Sequence, residues 1–425
     1  MFAENAETKA ETLGTYPDSP EGCGPLLTTQ GKDTKPLRQQ VFEQVRAAGR
    51  AARADVTRAL NISPGSVTAL TSDLIAGGWL REVESAPRES GRGRPPVALE
   101  VVPECHRVIG IKLSDEYHTA VLTDFAGRTL ADATLPTPPV RKSIDQLVEE
   151  TAALIDQLLG SAGLTLHQIS TIGVGLSGLV DNTTGHVPWS PLLLDTNLDL
   201  KSALETRFGL PVHLDNDANM LTLAELWFGA GRSMSDFAVV TIEHGVGMGL
   251  VLNNRLYRGT RRMGLELGHT KVQLDGALCR CGQRGCLEAY VADYALAREA
   301  STALGRNTRN LQSPHAMLET LYGQAIAGNQ AARTIFRRAG RYLAVGLSNV
   351  IQLFDPELII LSGERMRYEY LYADEVLSET RSLTLYDGPP ACRIEIHAWG
   401  DLVWARGATA LALSALTDAS IGGQP

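Results

Sequence analysis

The sequence predicts a multidomain α/β protein in which a small three-helix module with a β-hairpin precedes a body of two α/β lobes. Three observations carry that prediction. The 425 residues exceed what one hydrophobic core usually serves, so two or three domains are expected. From Lys35 to Val102 the apolar periodicity is helical and tightly punctuated. Beyond Pro103 it changes to short, fully apolar strand runs interspersed with amphipathic helix. Hydrophobic residues make up 44% and charged residues 20%, proportions that allow a sizeable core.

Residues 1–35 are rich in Glu, Thr, Ser, Pro and Gly and are expected to be a disordered tail. They lack the basic start and apolar stretch of an export signal, and no run nears the roughly 20 apolar residues that span a bilayer. A cytoplasmic chain without a membrane partner is expected. The net charge of −9 excludes an extended basic coat but not a local basic footprint.

The first domain is expected over residues 36–102. Leu37, Val41, Phe42 and Val45 recur at helical spacing until Gly49. Ala54 to Leu60 predicts a second short helix, with Asn61 in a turn that wants a left-handed backbone. Ser63 and Pro64 then read as N-cap and first helical residue of a third helix, striped by Val67, Leu70 and Leu74 and stopped at Gly77-Gly78. This is the helix-turn-helix pattern. Ser63 and the outward Ser66, Thr68, Ala69 and Ser72 are small and mostly hydroxylic, suited to lie close to DNA. Strands around Trp79–Val83 and Pro96–Val101 would form a wing whose tip carries Arg92 and Arg94, able to follow a minor groove and neutralise phosphates. A helical dimerisation module is the alternative.

The body, expected over residues 103–421, shows strand runs at Val108–Ile111, Thr119–Leu122, Thr171–Leu176, Val239–Ile242 and Leu358–Leu361, with an amphipathic helix from Ser143 to Leu159. Four clusters carry chemistry. Asp215-Asn216-Asp217-Ala218-Asn219 offers the donors and acceptors that a polyhydroxylated ligand needs, or else forms an Asx-rich turn. Glu266 and His269 flank Gly268 three residues apart. Cys279, Cys281 and Cys286 fall within eight residues, and with His269 they make a Cys₃His set for a closed, structural Zn²⁺. Inert buried thiols or a Cys281–Cys286 disulfide are the alternatives, the latter disfavoured in a reducing cytoplasm. Glu243 to Gly249 alternates glycines after a strand and would admit a phosphate or a sugar closely, a weak signal alone.

In their order and spacing these clusters resemble the ROK family (repressors, open reading frames and kinases) over essentially residues 36–415. The glycine-rich run from Gly173 to Asp181, the Asp215–Asn219 motif, Glu266-Leu267-Gly268-His269 and the cysteine knot ending at Glu288 carry the resemblance. It implies a two-lobed, actin-like (ribonuclease H-like), sugar-kinase-like body. It also implies a sugar or sugar phosphate effector held by Asn216, Asp217, Glu266, His269 and Glu288, and zinc held by His269, Cys279, Cys281 and Cys286. Family kinases use the residue matching Asp217 as general base and open with an Asp-x-Gly-Gly-Thr phosphate loop. Here Lys112-Leu113-Ser114-Asp115-Glu116 stands in its place, and two carboxylates facing a triphosphate repel it. The later Gly-Gly turn is Ser362-Gly363-Glu364. Leu265 and Ser177 replace a small residue and a proline of the family pattern. A sugar-responsive, non-catalytic repressor of carbohydrate genes is therefore expected, a homodimer or homotetramer because such readers recognise paired half-sites on double-stranded DNA. An active sugar kinase with a fused DNA-binding domain is the rival.

Overall fold

Capping residues set the ends of the N-terminal helices. Helix α1 (Leu37–Ala48) stops at Gly49, and after the short strand β1 (Arg50–Ala52) helix α2 (Arg53–Leu60) stops at Asn61, whose φ is 51°. Helix α3 (Pro64–Ala76) starts with the Ser63 hydroxyl accepting from the Ser66 N–H at 3.1 Å. The computed structural model describes residues 22–26, 35–84, 97–261, 264–303, 314–363, 374–385, 392–397 and 399–423.

Val41, Phe42, Val45, Val56, Val67 and Leu74 are all buried, which is why three marginal helices hold one shape. Strands β2 (Leu80–Glu84) and β3 (Val97–Val101) pair antiparallel, and β1 lies on the other side of β3. Helix, turn, helix and wing strands thus follow the expected pattern. The wing tip, with Arg92 and Arg94, lies outside the described residues.

The body contains two five-stranded sheets built alike. In the first lobe, β4 (Arg107–Leu113), β5 (Tyr117–Asp124) and β6 (Thr129–Pro136) form an antiparallel meander. Helix α4 (Ile144–Ala162) leads to β7 (Thr171–Leu176). A small flap of β8 (Leu179–Asp181), β9 (His186–Trp189) and β10 (Leu198–Asp199) precedes α5 (Leu200–Phe208) and β11 (Val212–Asn216). The strand order is β11-β7-β4-β5-β6, with β4, β7 and β11 parallel.

Helix α6 (Asp217–Phe228) then enters the second lobe, where β12 (Phe237–Ile242), β13 (Val246–Leu252) and β14 (Arg255–Tyr257) repeat the meander. Helices α7 (Glu288–Val291), α8 (Asp293–Ala303), α9 (Pro314–Ile326) and α10 (Gln330–Phe354) cover it. Strand β15 (Leu358–Ser362), α11 (Asp374–Ser382), β16 (Arg393–His397) and the closing helix α12 (Val403–Thr417) complete the chain. The order β14-β13-β12-β15-β16 mirrors that of the first sheet. The shared order gives the actin-like, two-lobed α/β body that the resemblance implied.

Helix α12 lies directly on the first sheet: a Cβ on Gly110 would sit 2.1 Å from the Ala405 carbonyl oxygen. Helix α6 lies as closely on β13, where a Cβ on Gly249 would sit 1.9 Å from Thr222 Oγ1. One continuous core joins the N-terminal module (Phe42, Val67) to α6 (Trp227), α12 (Trp404) and the second sheet (Phe237).

One expectation fails here. Part of the stretch assigned to a disordered tail is docked: Cys23 is 1% exposed, and residues 22–26 hydrogen-bond to both α1 and the body. Composition averaged over 35 residues hid one small apolar anchor.

Phe42 packs on Phe125 of the body at a ring-centroid distance of 5.1 Å. Phe42→Ala is expected to cost about 3–5 kcal/mol, the usual penalty for emptying an aromatic site. Urea unfolding should show the N-terminal module and the body losing stability together.

Candidate functional site

The first-lobe half of the site is built where β11 meets α6. Asn216 is the N-cap of α6, its Oδ1 accepting from the Asn219 N–H at 2.8 Å. That bond occupies one lone pair of the amide oxygen and fixes the orientation of the side chain. Asp217 follows in the first turn, where the helix dipole favours its negative charge. Its Oδ1 accepts from the Ala218 N–H at 2.9 Å and its Oδ2 from Ser177 Oγ at 2.5 Å. Ser177 is thus a functional partner: it sits at the end of β7, parallel to β11, and reaches Asp217 because β11 and β7 pair in register through Asn216 and Leu176.

Asp215 is turned the other way and is almost wholly buried. It accepts from Asn219 Nδ2 at 2.7 Å, from the Asn216 N–H at 2.9 Å and from Arg258 Nε at 2.6 Å. A buried carboxylate with three donors, one a guanidinium, is fully satisfied. It fixes the motif and does not act as a free ligand group, so the aspartates of this run have different tasks.

The second-lobe half brings Glu266, His269 and Glu288 together with the cysteines. Leu265 has φ 70°, and the Leu267 N–H bonds back to the Leu265 carbonyl at 2.8 Å, so Glu266 sits at the apex of an inverse γ-turn. Its carboxyl is pushed up to about 7, first by burial and then by the carboxylates of Asp217 and Glu288. Asp217 at the start of α6 and Glu288 of the second lobe thus both bear on Glu266. Glu288 Oε2 lies 3.4 Å from the Val246 N–H, and a Cβ on Gly245 would meet it at 3.0 Å. Gly245 therefore makes room for a carboxylate, and Gly249 makes room for α6.

His269, Cys279, Cys281 and Cys286 place their ligand atoms within 4.8 Å of one another. Cys279 Sγ is 3.7 Å from His269 Nδ1, and Cys281 Sγ is 3.7 Å from Cys286 Sγ. Two thiolates each about 2.3 Å from a tetrahedral zinc stand about 3.8 Å apart, so the set fits that ion. All six cysteines are free, which removes the Cys281–Cys286 disulfide. Lys271 Nζ lies 3.0 Å from Cys286 Sγ, a cation beside the thiolates that the sequence reading missed. The cluster touches the acidic site directly, because Cys279 Sγ lies 3.5 Å from Glu288 Oε1 and Tyr294 donates to both. His269 and Glu288 thus meet at the cysteine cluster, Glu288 through Cys279 and His269 as a member of the set.

Where a phosphate loop would open, Lys112 is buried, 3.6 Å from Glu243 Oε2 of the second lobe and 3.5 Å from the centre of the Trp404 ring. Glu116 lies 3.9 Å from His244 Nε2. Lys112 of the first lobe and Glu243 of the second thus form an ion pair here. At the opposite end of the chain, Ser63, Ser66, Thr68, Ala69 and Ser72 are all exposed on or beside the first turns of α3. The Ser63 and Ser66 hydroxyls lie 2.8 Å apart, and Thr68 Oγ1 donates to the Pro64 carbonyl at 2.9 Å.

Comparisons with known proteins agree with this arrangement. The chain is 26% identical over 329 residues to a xylose repressor of Caldicellulosiruptor bescii, covering 76% of this chain and 82% of that protein. It is 29% identical over 327 residues to an N-acetylglucosamine repressor of Escherichia coli O157:H7, covering 76% and 79%. Among solved structures, a ROK family transcriptional regulator described as a homolog of the E. coli MLC protein superposes with a TM-score of 0.74 at 26% identity, covering 90% of this chain and 96% of that one. A ROK family glucokinase from Streptomyces griseus, solved with glucose and AMPPNP, gives 0.61 at 28% identity but covers only 72% of this chain against 98% of its own. The ROK family itself is matched over residues 108–415, and with the cleft and the cysteine knot in place the chain belongs to the ROK family.

Proposed function

We propose that the chain is a sugar-responsive transcriptional repressor that binds an operator through α3 and its wing and a sugar in the interlobe cleft. The single observation that carries this reading is the pairing of a helix-turn-helix module with an intact polar cleft in one chain. Regulators of the family match over both parts, whereas the kinase match covers a smaller share.

In this reading the Asn216 amide donates to a sugar hydroxyl, and Asp217, Glu266 and Glu288 accept from others. His269 serves two roles: Nδ1 holds a structural zinc with Cys279, Cys281 and Cys286, and Nε2 is left for the sugar. The ion supplies folding energy and fixes the ring and its tautomer. Ser177 keeps one Asp217 oxygen occupied, which suits an acceptor better than a base poised to take a proton.

The rival reading, sugar phosphorylation, meets the Lys112–Glu243 pair in the place where a nucleotide phosphate and its cation would go. Phosphoryl transfer depends on positioning and on neutralising charge, and here Glu116 adds a carboxylate. On the DNA side, Ser63, Ser66, Thr68, Ala69 and Ser72 form the close face, and Arg92 and Arg94 follow the phosphates from the wing. Paired half-sites call for a homodimer or homotetramer acting in the cytoplasm.

The experiment is a gel shift at fixed salt on DNA upstream of sugar-uptake genes, with competitor DNA and with D-xylose, N-acetyl-D-glucosamine, D-glucose and their 6- or 5-phosphates. A specific shift altered by one sugar is expected. A coupled ATPase assay with the same panel should show no turnover, and turnover would reinstate the kinase. Asp217→Asn and Glu288→Gln should each weaken sugar binding at least tenfold by calorimetry, with the basal operator shift retained. Cys281→Ser should lower zinc content from about one ion per chain and reduce the melting temperature of the second lobe. A parent free of zinc that melts like the variant would remove the metal from the scheme.

A further inference from the structure

Helix α6 has its two ends in different places. Its first residues, with the N-cap Asn216 and with Asp217, lie where β11 ends in the first sheet. Its last residues reach the N-terminal module about 18 Å away, at 1.5 Å of rise per residue. There the Trp227 carbonyl accepts from the Gly24 N–H at 2.8 Å. The neighbouring Cys23 N–H donates to the Arg46 carbonyl of α1 at 3.0 Å, and the Leu26 N–H donates to the Arg232 carbonyl at 2.7 Å. Residues 22–26 are therefore a strap hydrogen-bonded on one side to α1 and on the other to the end of α6 and the turn behind it.

Two contacts lock the strap, and Arg46 ties α1 to the body beside it. The Cys23 side chain is buried against Gly127 and Phe228, where a Cβ on Gly127 would come 2.5 Å from Cys23 Sγ. Arg232 Nε donates to the Gly24 carbonyl at 3.0 Å, and its Nη2 donates to the Ala47 carbonyl of α1 at 2.5 Å. The Arg46 guanidinium lies 4.6 Å from the Trp227 ring centre and 5.3 Å from that of Phe42, with Nη1 on Thr417 Oγ1 at 2.8 Å. Each arginine thus has one hand on α1 and one on the body.

We propose that α6 and this strap form the mechanical link between cleft and DNA reader, so that a displacement of α6 by a bound sugar is delivered to α1. The inference rests on the reading that Asn216 and Asp217 take a sugar. Other contacts attach α1 to the C-terminal turn, as where Gln39 Nε2 donates to Asp418 at 2.5 Å, and these hold the module in place. The strap differs because, together with the Arg46–Trp227 contact beside it, it joins α1 to α6, the helix that begins at Asn216 and Asp217. A helix is stiff along its axis, so a shift at its N-terminus is not absorbed before Trp227.

The test uses the full chain with Cys23→Asp, which puts a charge in the buried anchor, and with Gly24→Pro. The latter removes the N–H donor and forbids the φ of 108° at Gly24 without introducing a charge. Sugar affinity alone and operator affinity alone should stay within threefold of the parent. The sugar-induced change in operator affinity, of the order of 5–150-fold for a coupled pair of sites, should fall below twofold. In parallel, labels carried by non-natural amino acids at the exposed Ala76 and Asp156 report the distance between reader and body. That distribution should broaden in both variants. Retention of the full sugar response, or an unchanged distribution in the variants, overturns the proposal. If the parent responds to none of D-xylose, N-acetyl-D-glucosamine and D-glucose, the sensor reading fails; broadened distances would still establish the strap as the reader's clasp, and unchanged ones would remove that too.

Discussion

The close crossing of α6 and α12 is the constraint on which the rest of the molecule depends. A Cβ on Gly407 of α12 would lie 1.8 Å from the Met220 carbonyl oxygen of α6, so the two helices touch backbone to backbone. One of them rests on the first sheet at Gly110 and the other on the second at Gly249. Both lobes are therefore referred to a single helix pair, and so is the N-terminal module, whose Phe42 and Val67 belong to the same core. Dense interiors of this kind transmit displacement because they have no slack to absorb it. Glu225 fastens the second half of α6 to the end of the second sheet, its Oε1 accepting from His397 Nδ1 at 2.7 Å and from Trp399 Nε1 at 2.6 Å.

Charge in the cleft is distributed in two zones that follow from burial. At one end, burial and then the neighbouring carboxylates of Asp217 and Glu288 push the Glu266 carboxyl up to about 7. At the other end, Lys112 is already matched by Glu243 and the Trp404 ring. A buried ammonium left without those partners would be costly.

Much of this was legible in the sequence because it is local. Ser63-Pro64 specifies a helix start, Asn61 a left-handed stop and CxC with a third cysteine five residues on a metal knot, whatever the rest of the chain does. What escaped is non-local. Residues 22–26 look like tail because their partners, Arg46, Trp227 and Arg232, are spread over the next two hundred residues. Ser177 reads as a departure from the family pattern until the β7–β11 pairing sets its hydroxyl on Asp217. The glycines after Glu243 suggest by spacing a loop that admits a phosphate or a sugar; that Gly245 also makes room for Glu288, and Gly249 for Thr222, is visible only in the contact distances. The likeness of the two sheets has no counterpart in repeated residues, since strand order constrains hydrophobic pattern and not identity.

Coupling between cleft and reader is the central claim, and linkage gives it a direct measurement. Sugar affinity should be determined by calorimetry on the free protein and on the protein saturated with its operator, at one salt concentration. Binding of one ligand must change the affinity for the other by the same factor in both directions. A sugar dissociation constant that differs by about 5-fold or more between the two states is the expected result. Identical constants, with sugar and operator each bound specifically, would mean that the two sites share a chain but not a mechanism.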